Sequence, residues 1–423
     1  MNLNSGRIAT FLLAVLLMLP SLTLAQDTTD TQAAAITHLD TLRASAEKLE
    51  GRTKLDRLSE LAAFEVLAGR TIRAHQIERT LQKHLEATPD DDAALAALAR
   101  TQIALRQWDN AITTLNKSSK SARLLPLYEE LLVALVYAGD FEGARARARI
   151  IIPDTMDRAR AYQLMLIALT EMGQADQAIA MLNDTFDLIA AFSKHRAYVA
   201  MAQVLVKQQK HDLARQLMYD IYTLSRRESV ASTRISLAGE LAEGFVLVGD
   251  PQTARRMLSE AEQDLTQIDA EKNAYQYNGS LAALAIGWAQ LGEIDKARSL
   301  HDQLTSSSDK NKAAKAITHA LVRARKLQEA SDYGKQNNQV SDTEFVKMDI
   351  AERLKIRDFT GAIMRFKQLN PYDFSRSTIA RNIAYRMTEA GNHQLLEDFI
   401  YTLPEGEKDI AYLGILDYQL RRY

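Results

Sequence analysis

Along most of the chain, apolar residues recur three and four positions apart, as in Leu164, Leu166, Ile167 and Leu169. That is the period of an amphipathic helix. Each run stops at a glycine or a polar substitute, and a second run opens five residues later on a small residue. The clearest instance joins Trp288, Gly292 and Ala297. It recurs as Gly139 with Ala144, Gly173 with Ala178 and Gly249 with Ala254. Weaker copies end on Ala74, Ala111, Ala214, Ala330, Ala362 and Leu396, so the anchors are spaced by 37, 33, 34, 36, 40, 43, 33, 32 and 34 residues. Glycine precedes the anchor by five residues at Gly69, Gly139, Gly173, Gly249, Gly292 and Gly391. Such a period over more than 300 residues predicts a repeat of one supersecondary unit.

That unit is predicted to be a helical hairpin. Glycine ends the first helix because it takes the left-handed conformation without steric cost. A short turn follows, with Asp140, Asp250 or Asn392 poised to start the next helix. The anchor alanine lets two helices approach, and Leu115, Leu182, Met218, Leu258 and Phe366 fill the seam one turn later. Pro89, Pro126, Pro153, Pro251, Pro371 and Pro404 all fall at predicted helix starts or connections, where a missing N–H costs least. The spacings of 40 and 43 predict longer helices in the centre.

The pattern resembles the tetratricopeptide repeat, a helix–turn–helix unit of 34 residues. Trp288, Gly292 and Ala297 stand at its aromatic, turn and small positions, and Trp108 with Ala111 is a looser match. Four copies depart from it, with Arg106, Gln209, Arg325 and Arg357 in place of the turn glycine. The resemblance covers roughly residues 33–420. It implies an all-α, right-handed superhelical solenoid of about ten repeats, whose first helices line a concave groove. Groove positions are then expected ten, six and three residues before each turn. They select Arg100, Glu129, Gln163, Thr170, Gln203 and Glu243, then Lys315, His319, Lys347, Arg381 and Tyr385. Val133, Ile167, Val206, Ile286 and Val322 are interleaved with them. The later groove is accordingly expected to be basic and to hold an acidic segment or a free carboxylate of a protein or peptide partner.

Around this repeat region the chain divides simply. Residues 1–25 read as a signal peptide: Arg7, an uncharged run from Ile8 to Leu19, Pro20, then Thr23 and Ala25 at a cleavage site. About 12 apolar residues are too few to span a bilayer. Residues 26–32 read as a disordered polar leader. Residues 33–423 form one domain, with a polar-faced capping helix from about 404, and hinges are expected at 305–312 and 334–343. A bend near 215–280 would divide it into two arms.

Composition then narrows the chemistry. The 423 residues are 47% hydrophobic and 25% charged with net charge −2, so no global basic field attracts nucleic acid. The absence of cysteine excludes disulfides, thiolate metal sites, a thiol nucleophile and a lipidated cysteine. An exported chain of this kind suits a bacterial periplasm. The eight histidines, among them His38, His195 and His301, form no metal-ligand spacing. Ser45 with Lys48 lacks the other elements of a serine–lysine enzyme, and the run Asp90, Asp91, Asp92 reads as a helix N-cap. A lysozyme-like transglycosylase domain is absent around Glu228 and Ser229. Arg145, Arg147, Arg149, Arg158 and Arg160 read as a solvated face. No catalytic residue, cofactor or metal is expected. The reading is a periplasmic scaffold without enzymatic activity that binds an envelope protein or peptide. A role in handling an envelope polysaccharide is the alternative.

Overall fold

A computed structural model describes residues 27–118, 124–184, 191–337 and 340–420. Among them it is all α, and the signal peptide expected over 1–25 lies outside them. Among the described residues helix α1 (Asp27–Glu47) comes first and α22 (Glu405–Gln419) last. Between them stand ten hairpins. The first four are α2 (Gly51–Leu67) with α3 (Thr71–Ala87), α4 (Asp92–Ala104) with α5 (Trp108–Leu115), α6 (Leu125–Tyr137) with α7 (Phe141–Ile151), and α8 (Thr155–Glu171) with α9 (Ala175–Asp184). Next come α10 (Ala191–Lys207) with α11 (His211–Ser225), α12 (Ala231–Leu247) with α13 (Pro251–Leu265), and α14 (Ala274–Leu291) with α15 (Ile294–Gln303). The last are α16 (Ser307–Arg323) with α17 (Leu327–Gln336), α18 (Asp342–Lys355) with α19 (Phe359–Phe366), and α20 (Arg376–Glu389) with α21 (His393–Tyr401). The architecture is an all-α solenoid of tetratricopeptide-like hairpins.

The turns explain both the repeat and its departures. Gly69, Gly139, Gly173, Gly249, Gly292 and Gly391 all have positive φ, and so do Arg106, Gln209, Arg325 and Arg357, at 60°, 61°, 62° and 60°. The geometry is imposed by hydrogen bonding that side chains do not enter. In each turn the N–H one past this residue returns to a carbonyl five positions earlier, as from Asp140 to Leu135 (3.0 Å) and from Gln107 to Gln102 (2.8 Å). This is the Schellman closure, which needs a left-handed residue whatever its type. Asp140 and Asp250 then cap the second helix through Gly143 N–H (2.9 Å) and Thr253 N–H (3.1 Å), whereas Asn392 makes no side-chain cap.

All nine anchor alanines have zero exposure, and Leu396 is buried with them. Leu115, Leu182, Met218, Leu258 and Phe366 fill the seams as expected. Pro126 and Pro251 occupy first-turn positions and Pro404 an N-cap, while Pro89, Pro153 and Pro371 lie in connections. Trp288 is core. Its indole N–H donates to Glu262 Oε1 at 2.6 Å, and Lys296 Nζ lies 3.6 Å above the ring.

Packing divides the chain into two compact units: residues up to Ala168 together with those from Pro371, and Leu169–Asn370. The division therefore does not fall at 215–280. There, α12 and α14 cross at close range, and a Cβ on Gly239 would come 2.5 Å from the carbonyl oxygen of Ala283. One on Gly287 would meet Leu258 at 2.6 Å.

Within the first unit, α22 is no free cap. It packs on α1 and α20, burying Ala411, Leu413, Ile415 and Leu416, because both of its faces carry apolar or paired residues. Ser45 of α1 donates to Asp409 of α22, and Arg381 of α20 reaches Glu60 (3.0 Å) and Asp417 (2.6 Å). The polar leader is also revised. The backbone is helical from Asp27, since neither glycine nor proline interrupts the run into the apolar face of α1.

In the second unit the expected hinge at 305–312 is tied down. Asn278 Oδ1 accepts from Thr305 N–H (2.7 Å) and Ser306 N–H (3.1 Å), and Ser306 caps α16. In the stretch 334–343, Gly334 and Val340 are buried and Ser341 caps α18.

Candidate functional site

The first helices of successive hairpins in the second unit leave one open face. Across α10, α12, α14 and the start of α16 runs a groove of about 880 Å³. Its floor is made of small residues one turn apart: Ser232 and Ser236 on α12, Gly279 and Ala283 on α14. Arg196 and Glu240 form one wall, joined at 3.0 Å, and Asp309 with Lys312, also at 3.0 Å, stands at the far end. Tyr275, 90% exposed, projects at the rim.

Among the described residues, three oxygen atoms of groove residues are buried without a hydrogen-bond partner: Glu240 Oε2, Ser280 Oγ and Gln290 Oε1. Ser280 as a whole is 1% exposed. Leaving such an atom unsatisfied costs about 1–3 kcal/mol. Burial pushes the Glu240 carboxyl above the usual range, and the Arg196 guanidinium on its other oxygen only partly offsets this. Gln290 spends its Nε2–H on Glu243, at 3.3 Å.

This groove is rotated from the expected register. Residues that line it stand seventeen, thirteen, nine, six and two places before the turn. Tyr275, Gly279, Ala283, Ile286 and Gln290 relate in this way to Gly292. Of the expected lining, Ile286 is found there, and Glu243 is exposed beside it. In three copies the position ten before the turn meets a neighbouring helix. Gly239 there touches α14, Glu129 has zero exposure and pairs with Arg160 (2.9 Å), and Arg381 is enclosed by Glu60 and Asp417. Helix contact claims the stripe at these three positions, whereas Lys315, also ten before its turn, is 44% exposed.

The later groove is also not a free basic surface. Lys315 and Lys347 both turn to Glu344, at 3.5 and 3.3 Å, and His319 Nε2 lies 3.0 Å from Glu352. In the other unit Arg100 pairs with Glu130 (3.1 Å), and Tyr385 packs edge-on against Tyr418. Gln163 and Gln203 are half-buried, and Thr170 and Val322 are buried outright. The structure does not gather the expected groove residues into one site. Sequence reasoning missed Tyr275, Gly279 and Ser280. A glycine in the middle of a helix was the available signal, since it costs about 1 kcal/mol against alanine unless something requires it.

The remaining candidates resolve as structural. Asp91 caps α4 by accepting from Ala93 and Ala94 N–H. In the arginine cluster, Arg160 and Arg147 are ion-paired, and Arg158 donates to the carbonyls of Ile152 and Pro153. Among the described residues, no group of three His, Asp or Glu is placed to hold a metal ion. No described helix is long and apolar enough to cross a membrane.

No known family profile matches the sequence, and no curated protein does. Solved structures of helical repeat proteins are similar to it at low identity. One is the pentatricopeptide repeat protein PPR10 from maize, with 18% identity, TM-score 0.29, and coverage of 90% of this chain and 54% of that one. The same protein in complex with an 18-nt psaJ RNA element gives 15% identity and TM-score 0.26, covering 97% and 65%. The APC/C hetero-tetramer Cut9–Hcn1 gives 12% identity and TM-score 0.25, covering 89% and 84%. The chain thus spans about half the length of the first of these.

Proposed function

We propose that the protein is a scaffold without enzymatic activity, exported to the bacterial periplasm, that holds a polypeptide segment of an envelope partner in the groove of the second unit. The groove carries this reading because it crosses four successive first helices and leaves Tyr275 exposed at its rim. Three helix-to-helix intervals of about 8–10 Å give roughly 25–30 Å, the reach of about eight extended residues. Its lining offers hydrogen-bond partners and one aromatic surface. Two cations stand against two carboxylates there, which gives a phosphate backbone no net attraction.

The test is photo-crosslinking in the envelope of the source bacterium, with the probe at Gln276 in the groove and at Asp212 on exposed α11 as control. A discrete polypeptide adduct from Gln276 alone is expected. Adducts from both positions, or none, would overturn the reading. The exposure of Tyr275 supports the second reading, an envelope polysaccharide stacked on that ring, and carbohydrate adducts from Gln276 would establish it instead.

A further inference from the structure

We infer that the two ends of the chain build an eleventh hairpin between them: α22 serves as its first helix and α1 as its second, although no turn joins them. Each helix carries half of the repeat's pattern. In the second helices a seam residue follows the anchor alanine by four places, as Leu115 follows Ala111 and Leu258 follows Ala254. In α1, Ala35 and Leu39 repeat that spacing, and both have zero exposure. The first helices carry a different stripe. In α14, Leu281, Leu284, Ala285 and Trp288 are buried eleven, eight, seven and four places before Gly292. Along α22 and its C-cap residue, the buried Leu413, Leu416, Asp417 and Leu420 have the same spacing. Gly414 also marks α22 as a first helix, because a Cβ there would collide with the carbonyl oxygen of Arg381 on α20. Gly239 of α12 meets a carbonyl of α14 in the same way. Among the described residues no first helix precedes α1 and no second helix follows α22.

The two halves meet antiparallel, as the helices of a hairpin do. Going forward along α22, contacts fall progressively earlier on α1. Lys408 holds the Glu405 carboxyl below its usual range, and Lys48 of α1 adds to the effect. Further along, Ser45 donates to Asp409. At the far end His38 Nδ1 lies 3.4 Å from Gln419 Oε1, and its ring stands 5.2 Å from that of Tyr412. Between these contacts Leu39, Leu42 and Ala46 share one core with Leu413, Leu416 and Leu420. Neither helix can bury its apolar stripe alone, and stacking completes both: α22 packs on α20, α1 on α22, and α2 on α1. The first unit is therefore complete only when α22 has met α1.

The experiment places pairs of cysteines in the full chain, which has none of its own, and treats it with a short bis-maleimide. Lys48→Cys with Glu405→Cys should cross-link within one molecule and run as a monomer on denaturing gels. Thr37→Cys with Glu405→Cys should not, since positions 37 and 48 stand about 16 Å apart along α1. A cross-linked dimer, no cross-link, or an equal yield from Thr37 would overturn the pairing. A circular permutant then tests the hairpin itself. It begins at Gly51, passes from Tyr423 through one added glycine to Thr31, and ends at Leu49. That glycine precedes Ala35 by five places, as in the other turns. The permutant should keep the helicity of the natural chain, with a urea midpoint for the first unit at or above the natural one. Loss of that transition, with the cross-link still formed, would mean that the ends are merely in contact and would overturn the eleventh hairpin.

Discussion

Replacing Arg106, Gln209 and Arg357 by glycine should stabilise the protein. These residues hold φ of 60°, 61° and 60° in hairpin turns, are exposed, and make no side-chain interaction. The left-handed conformation costs a residue with a Cβ about 1–2 kcal/mol. Glycine removes that cost but enlarges the freedom of the unfolded chain, which takes back about 0.5–1 kcal/mol. The net gain is about 0.5–1 kcal/mol per site. The sites lie in different hairpins and should add to about 1.5–3 kcal/mol.

Arg325 is the internal control. It shares the same φ, but its guanidinium lies 3.2 Å from Asp349, a carboxylate of zero exposure. Arg353 and Arg365 also hold Asp349, at 3.0 and 2.6 Å. Arg325→Gly therefore relieves backbone strain while stripping one of three cations from a buried charge, and it should not stabilise. Urea unfolding followed by circular dichroism at 222 nm measures this. Arg106 belongs to one unit and Gln209 and Arg357 to the other, so each transition is fitted separately. Midpoints that fail to rise, or a gain from Arg325→Gly as large as from Arg106→Gly, would refute the account of the turns.

Three other expectations follow from the structure. Burial pushes the Glu129 carboxyl up from 4.5 to about 7, with Arg160 opposing. The folded state then keeps a proton that the unfolded chain has already released. The contribution is complete below about 4.5 and is lost as pH rises through 7, by up to about 3 kcal/mol; Glu129→Gln should flatten stability between pH 5 and 7.5. Arg381→Ala should destabilise the first unit by about 3 kcal/mol, seen as an early urea transition, because it removes the guanidinium from buried Asp417. A partner-binding arginine would leave that transition in place. N-terminal sequencing of the protein recovered from the periplasm should begin at Gln26; an intact Met1 would refute export with cleavage.

Local physics made the hairpins legible in the sequence. The helical period, the turn glycines, the anchor alanines and the proline positions each follow from a few neighbouring residues. They located all ten turns, the four non-glycine ones included, because the Schellman closure depends on backbone spacing alone. The signal reading of 1–25 is also local and stays a matter of sequence. Which stripe of each first helix meets solvent was not local. It depends on how closely the next first helix approaches, and one residue of rotation moved Glu129 and Arg381 from an expected groove into buried ion pairs. Charge followed the same rule in part: Lys315 and His319 look basic in one dimension, but tertiary packing sets Glu344 and Glu352 against them, whereas Lys347 meets Glu344 within its own helix. Only the folded chain brings α22 onto α1, and only there do buried oxygens of Glu240, Ser280 and Gln290 stand without a partner among the described residues. A sequence records which polar groups a chain possesses; the tertiary structure decides which of them are satisfied.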